Sequence, residues 1–187
     1  FASAMRNFLR HDPDVIMVGE IRDRETADIA VESALTGHLL LSTLHTNTAA
    51  STITRLLDLG VEAYLLRASL LAVISQRLVR LTCPHCREVE VIAPRIREAL
   101  GVGADEVFHV GRGCTQCEGL GVHKRQAVYE MLVMSQRLRE LIVPGAEADT
   151  IHRVAVEEGM RPITQAAVAL ARTGAVSLAE AWRVRAD

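Results

Sequence analysis

The sequence has no apolar run approaching the roughly 20 residues that span a bilayer. Its apolar stretches, such as Leu70 to Ile74 and Leu39 to Leu41, are short. No signal-peptide pattern opens it, so it reads as a soluble, cytoplasmic chain with no transmembrane segment. Aromatic residues are scarce, at 3%, and neither sign of charge dominates, the formal net charge being −2. Without a basic face there is no electrostatic reason to expect nucleic acid as a partner. Internal repeats and low-complexity tracts are absent too, which sets aside solenoid and linker-like classes. The chain opens at Phe1 rather than at a methionine, and the apolar pattern is already running at Met5, so it reads as part of a longer protein.

What is present is aliphatic. Of 187 residues, 49% are hydrophobic and 24% charged, which suits a folded, helix-rich chain with one substantial core or a small core and an appended module. Val15-Ile16-Met17-Val18, introduced by Asp12-Pro13-Asp14 and closed by Gly19, reads as a buried strand. Apolar residues at helical spacing follow from Glu25 to Thr36, with Gly37 placed for a left-handed cap. His38 to Leu44 reads as a second buried strand, and Ala49 to Leu59 as a helix that Thr48 caps and Gly60 ends. Strand, helix, strand, helix is the rhythm of an α/β sheet with crossover connections.

Ala63 to Leu81 is expected to be one long amphipathic helix carrying Leu66, Leu70, Val73, Ile74 and Leu78. Between Thr82 and Gly121 lie all four cysteines and half of the 12 glycines, the composition of a loop-rich insert with a short helix at Arg95 to Leu100. Helices are expected again at Gln136 to Ile142, Thr150 to Glu158, Ile163 to Thr173 and Leu178 to Val184, the last behind a capping box formed by Ser177 and Glu180.

Cys83-Pro-His-Cys86 and Cys114-Thr-Gln-Cys117 form two CxxC pairs with 27 residues between Cys86 and Cys114. Each pair puts two thiolates on one tight turn, and two such turns complete a tetrahedron of soft ligands suited to Zn²⁺. Iron in the same sulfur set, two disulfides, and four unmetallated thiols are the other readings. A chain without a secretion signal favours the metal over the disulfides. Four protein thiolates leave no open coordination position, so a zinc here is structural. His85 and His109 lie nearby but read as surface histidines.

Glu20 follows the first strand after a single glycine, which projects a carboxylate from the carboxyl end of the sheet, where α/β proteins bind ligands. It could orient water or Mg²⁺ against a nucleotide γ-phosphate, or be a plain acidic turn residue. The far end of the second strand carries Ser42, Thr43, His45, Thr46 and Asn47, a second polar strand tip beside the first. His45 reads either as a site residue or as a histidine bonding its own loop, while His38 points to the opposite end of the sheet.

At these residues the sequence resembles the type II secretion and type IV pilus-assembly ATPases. Leu9-Arg-His-Asp-Pro-Asp-Val-Ile-Met-Val-Gly-Glu-Ile-Arg-Asp23 is similar to their Walker B segment, and Thr36-Gly-His-Leu-Leu-Leu-Ser-Thr-Leu-His-Thr-Asn47 to their histidine box. Similarity continues through Arg55 to Gly60, Gln76 to Arg80, the CxxC pairs, Gly159-Met160, and Gly174 to Val184. It covers essentially the whole chain. The resemblance implies an α/β fold: part of a RecA-like ATPase core at 1–82, a tetracysteine zinc-binding subdomain at 83–130 and a C-terminal helical subdomain at 131–187. It implies Glu20 as the Walker B glutamate and His45 as the residue that senses or positions the γ-phosphate, with ATP and Mg²⁺ as cofactors of the full-length protein. It also implies a homo-hexameric ring, driving pseudopilus or pilus assembly and peripheral to the inner membrane through platform and adaptor proteins.

Two features depart from the family pattern. No GxxxxGK[ST] occurs, so the loop whose backbone N–H groups and lysine cradle phosphates lies outside this sequence, and the chain alone is expected to be inactive. Lys124 and Ala127 stand where the family usually has glycines. A second class of function stays open beside the motor: a non-catalytic zinc-containing module that docks on an inner-membrane platform protein.

Overall fold

The computed structural model describes residues 2–11 and 13–185. Phe1, where the chain begins, Asp12 of the turn read before the first strand, and the last two residues of the C-terminal subdomain lie outside the described residues. After helix α1 (Ala2–Phe8), strand β1 (Val15–Val18), helix α2 (Arg24–Leu35) and strand β2 (Leu39–Ser42) form a strand–helix–strand unit. The two strands pair in parallel, with Val15 opposite Leu39 and Val18 opposite Ser42. Helices α3 (Ala49–Asp58) and α4 (Ala63–Ser69) follow. Thr48 and Ser51 form a reciprocal capping box on α3, and Gly37 and Gly60 take φ values of 105° and 93°, the left-handed conformation that ends a helix without a Cβ clash.

Two compact units divide the chain, and neither is contiguous. One runs up to Val73 and resumes at Met131–Met160; the other takes Ile74–Glu130 and everything from Arg161 on. In the first, α6 (Gln136–Glu140) and α7 (Ala148–Glu157) join the strand–helix–strand unit. Its core includes Ile16, Val18, Ile29, Ile53, Leu66, Leu138, Ile142 and Ile151. Continuous apolar runs predict strands covered on both faces; the described residues cover only one. Ile16 and Val18 are buried, whereas Val15, Met17, Leu39 and Leu41 on the other face are exposed.

The expected helix over Ala63 to Leu81 ends at Ser69, and β3 (Ala72–Thr82) takes its place. Leu66, Leu70, Val73, Ile74 and Leu78 satisfy helical spacing, but the observed burial has period two: Val73 and Ser75 are buried while Ile74 and Leu78 are exposed. Stiff β-branched side chains at Val73, Ile74 and Val79 favour the pleated strand, and pairing with β6 (Val122–Val133) supplies its hydrogen-bond partner. Both Lys124 and Ala127 lie within β6, in extended backbone where no glycine is required.

In the second unit, β4 (Arg87–Val89) pairs antiparallel with β5 (His109–Gly111), and α5 (Pro94–Ala99), α8 (Ile163–Arg172) and α9 (Leu178–Arg183) surround a core that includes Val79, Phe108, Val128, Ile163, Ala167, Val168 and Leu178. Three buried glutamates serve its main chain. Glu90 accepts the N–H groups of Leu178 and Ala179 at 2.7 and 2.9 Å, at the start of α9. Glu130 accepts from Ile163 at 3.3 Å, at the start of α8, where Pro162 provides no side-chain cap.

Glu180 accepts the N–H of Arg80 at 2.8 Å and is bound by the guanidinium groups of Arg80 and Arg183 at 2.6 to 3.0 Å. The capping box expected at α9 is therefore half formed. Ser177 Oγ accepts the N–H of Glu180 at 3.1 Å, but the glutamate side chain is drawn to the arginines instead of back to the cap.

Burial opposes the charge of Glu180, yet hydrogen bonds from Arg183 and Arg80 hold its carboxyl down to about 2, against an ordinary 4.5. Its contribution to stability is therefore complete above about pH 4.5 and is lost as pH falls toward 2. Glu180→Gln is expected to lower unfolding free energy by about 2 kcal/mol at pH 7. In urea unfolding at pH 7 and pH 3, the gap between parent and variant should narrow at the lower pH.

Candidate functional site

Because β1 and β2 are parallel, both reach the same sheet edge. Glu20 follows Val18 and Gly19 there, and His45 lies three residues beyond Ser42. Their side chains meet: His45 Nε2 stands 2.8 Å from Glu20 Oε1, and Arg22 Nη2 stands 2.5 Å from Oε2. The contact is a hydrogen bond when the ring is neutral and an ion pair when it is protonated. The carboxylate is largely enclosed, with 14% of its side chain exposed, whereas 85% of the His45 side chain faces outward. The hydrogen bond from Arg22 holds the Glu20 carboxyl below the usual range despite partial desolvation, and the charges of Arg22 and His45 add to this. Glu20 is therefore an ionised acceptor with one oxygen shared with an exposed ring.

The surrounding loop is built from hydroxyls. Thr43 Oγ1 donates to the Gly19 carbonyl at 2.6 Å, and the Thr43 carbonyl accepts the N–H of Ile21 at 3.0 Å. Thr46 Oγ1 lies 2.7 Å from Thr52 Oγ1 on α3. Asn47 is exposed. Ser42 does not belong to the cluster: its Oγ is buried and has no hydrogen-bond partner among the described residues. His38 is apart as expected, with Nδ1 3.0 Å from the Ser33 carbonyl and 3.1 Å from Thr36 Oγ1. In the acidic run after β1, Asp23 is an N-cap: it accepts the N–H of Thr26 at 2.8 Å, which holds its carboxyl below the ordinary value.

Sequence reasoning missed Arg22 as the second partner of Glu20. The signal available was its opposite charge two residues beyond the glutamate.

The second candidate site lies in the other unit. Sγ atoms of Cys83, Cys86, Cys114 and Cys117 lie within 4.8 Å of one another. Cys83–Cys114, Cys86–Cys117 and Cys114–Cys117 are separated by 4.0, 3.8 and 3.7 Å. Four sulfurs each about 2.3 Å from a central Zn²⁺ stand about 3.8 Å apart, so the set fits the ion. A disulfide needs about 2.05 Å, and all four cysteines are free. Neither His85 nor His109 joins the cluster among the described residues.

Main-chain donors tune the sulfurs. The N–H of Gly113 donates to Cys86, and those of Cys114 and Gly121 to Cys117, each at 3.2 Å. Burial pushes the Cys86 thiol up to about 12. It also works against the Cys117 thiolate, yet the two N–H groups bring that thiol down to about 6. The main chain before Cys114 and after Cys117 approaches closely at Gly111 and Gly121: a Cβ on Gly111 would stand 1.9 Å from the Gly121 carbonyl oxygen, so only glycine fits there.

Similarity to known proteins runs along nearly the whole chain. The profile of the family described as Type II/IV secretion system protein matches residues 1–183. The chain is 46% identical over 184 residues to the type IV pilus assembly ATPase PilB of Thermus thermophilus, covering 96% of this chain and 21% of the relative. It is 51% identical over 144 residues to the type II secretion system protein E of Pseudomonas aeruginosa, covering 76% of this chain and 29% of the relative. The chain thus spans less than a third of the length of either. Among solved structures it is similar to the pilus retraction motor PilT with bound ADP, at 29% identity and a TM-score of 0.67, over 100% of this chain and 43% of PilT. The Legionella pneumophila ATPase DotB gives 27% identity and 0.67, over 98% of this chain and 41% of DotB.

Metal analysis of the purified chain is expected to find about one zinc per chain, and no iron. Cys83→Ser should release the metal and speed amide exchange between Thr82 and Gly121, since structural zinc contributes roughly 10–16 kcal/mol of apparent binding free energy in small folds. Four thiols titrating freely in native, unchelated protein would exclude the metal.

Proposed function

This chain belongs to the type II/IV secretion system protein family, and we propose that it is the C-terminal part of a motor ATPase of secretion or pilus assembly. The observation that carries the proposal is the 2.8 Å contact between Glu20 and His45 at the shared edge of two parallel strands. Phosphoryl transfer asks little covalent chemistry of a protein; it needs a placed nucleophile and a field that tolerates developing charge. An ionised, largely enclosed carboxylate meets the first need. Glu20 orients a water whose oxygen bonds to the γ-phosphorus while the bond to the β–γ bridging oxygen breaks and its electron pair leaves with ADP. The water proton passes to Glu20 or, through it, to solvent. His45 bonds the same carboxylate and is exposed enough to meet a γ-phosphate oxygen, so its role is to sense or position that group. Mg²⁺, when bound with the nucleotide, would supply charge to offset that of the phosphates.

The phosphate-binding loop and the remainder of the RecA-like core belong, in this reading, to sequence outside this chain. In this reading residues 1–82 carry the ATPase portion, 83–130 the zinc subdomain and 131–187 the helical subdomain, a division by function that cuts across the compact units. The four thiolates hold a structural Zn²⁺. Hexamerisation and contacts with inner-membrane platform and adaptor proteins, on the cytoplasmic side, complete the motor. The alternative, a docking module without catalysis, draws its support from the separate core of the cysteine-bearing unit. It gives Glu20 and His45 no task.

The discriminating experiment uses full-length protein containing a Walker A loop. Glu20→Gln is expected to cut ATP hydrolysis about 10²-fold or more, with nucleotide affinity nearly unchanged, because a positioned acid–base group acts chiefly in the transition state. His45→Ala should slow turnover less. The isolated chain should bind ATP weakly and turn it over negligibly. Parent-like hydrolysis by the Glu20→Gln variant would return Glu20 to the status of a turn residue.

A further inference from the structure

The contact between Glu20 and His45 does not explain its own geometry. One partner is an exposed ring on a loop, whose side of the contact is open to exchange with water. Glu20 itself follows Gly19, the residue type with the widest backbone freedom. Arg22 holds the other carboxylate oxygen, and the backbone that carries the ring needs a tie of its own.

Thr43 touches the chain on both sides of Glu20. Its hydroxyl donates to the Gly19 carbonyl at 2.6 Å, and its carbonyl accepts the N–H of Ile21 at 3.0 Å. The Ile21 side chain is in turn buried in the core. Thr43 also stands two residues before His45 on the same segment, so one residue ties the backbone of the carboxylate to the backbone of the ring. We propose that Thr43 is a positioning residue for the hydrolytic site: its hydroxyl locks the Gly19 peptide and thereby sets the distance between Glu20 and His45.

The inference rests on the functional reading of Glu20 given above and goes further, since that reading says nothing of what holds the pair. The hydroxyl contact is exposed, so its removal should do little to global stability. Its effect should appear where geometry matters, because displacement of a catalytic group by about 1 Å can slow a reaction by up to 10²-fold.

The test compares Thr43→Val, which keeps shape but loses the hydroxyl, with Thr43→Ser, which keeps the hydroxyl, in full-length protein with Glu20→Gln alongside. Thr43→Val is expected to lower kcat about 10-fold with KM for ATP and melting temperature unchanged. Thr43→Ser should restore kcat. In this chain, Thr43→Val should speed amide exchange at Ile21 and leave core amides such as Ile53 and Leu66 unaffected. If Glu20→Gln is slow but Thr43→Val hydrolyses ATP like the parent, the positioning role is wrong while the functional reading stands. The positioning role is equally wrong if serine fails to rescue, or if lost activity tracks a lower melting temperature. If Glu20→Gln itself hydrolyses like the parent, both fall.

Discussion

Parallel pairing of β1 with β2, in one register, is the constraint on which the first unit depends. With Val18 opposite Ser42, the strands end together, and the chain must turn at one edge of the sheet carrying whatever residues come next. A one-residue slip would exchange faces along β1, moving Ile16 and Val18 out of the core and Val15 and Met17 into it. It would also carry Glu20 away from His45. Apolar packing thus holds the polar pair: burial of Ile16, Val18 and Ile21, with Leu40 packed against the same core, fixes a register from which the carboxylate and the ring inherit their proximity. Neither side chain contributes much to the fold that places it.

The second unit solves a different problem with a related chemistry. Its short helices cannot satisfy their own first-turn N–H groups, and those at the starts of α8 and α9 are buried, where an unpaired donor is costly. Anionic side chains take them. Glu90 and Glu130 accept donors at the starts of α9 and α8, and Glu180 accepts from the backbone of β3. Sulfurs of Cys86 and Cys117 do the same for the turns around the cysteine cluster. Each glutamate joins residues distant in sequence, so polar contacts fasten the unit where its apolar core is small.

Much of this was legible beforehand. The strand–helix–strand rhythm, the cap at Thr48, the left-handed glycines and the helices after Ser135 follow from local patterns that tertiary contacts did not override. The cysteine cluster was legible because thiolate spacing on two tight turns is a local property. What escaped was non-local. Apolar positions from Leu66 to Leu78 fit both a helix and a strand, and pairing with β6 decided between them. The pairing partner was itself obscured, because its first half is polar and its buried face carries Glu130 between Val128 and Leu132. A buried glutamate looks like a solvent-facing one until its acceptor role, 33 residues away at Ile163, is known. Thr43 was legible as a polar residue of the strand tip, but not its partners Gly19 and Ile21 across the strand edge; Arg22 was missed although its partner Glu20 is only two residues away.

The interleaving of the two units along the chain has a consequence for biosynthesis. A ribosome releases the chain in order, yet the first unit lacks α6 and α7 until Met160 has emerged, and the second lacks α8 and α9 until Arg183 has emerged. Between Val73 and Met131 the nascent chain must keep an unfinished core waiting while the cysteine-bearing segment is made, which at roughly 5–20 residues per second takes several seconds. If the four thiolates take up the proposed zinc, the two cysteine turns, complete at Gly121, are available to it before either core is finished.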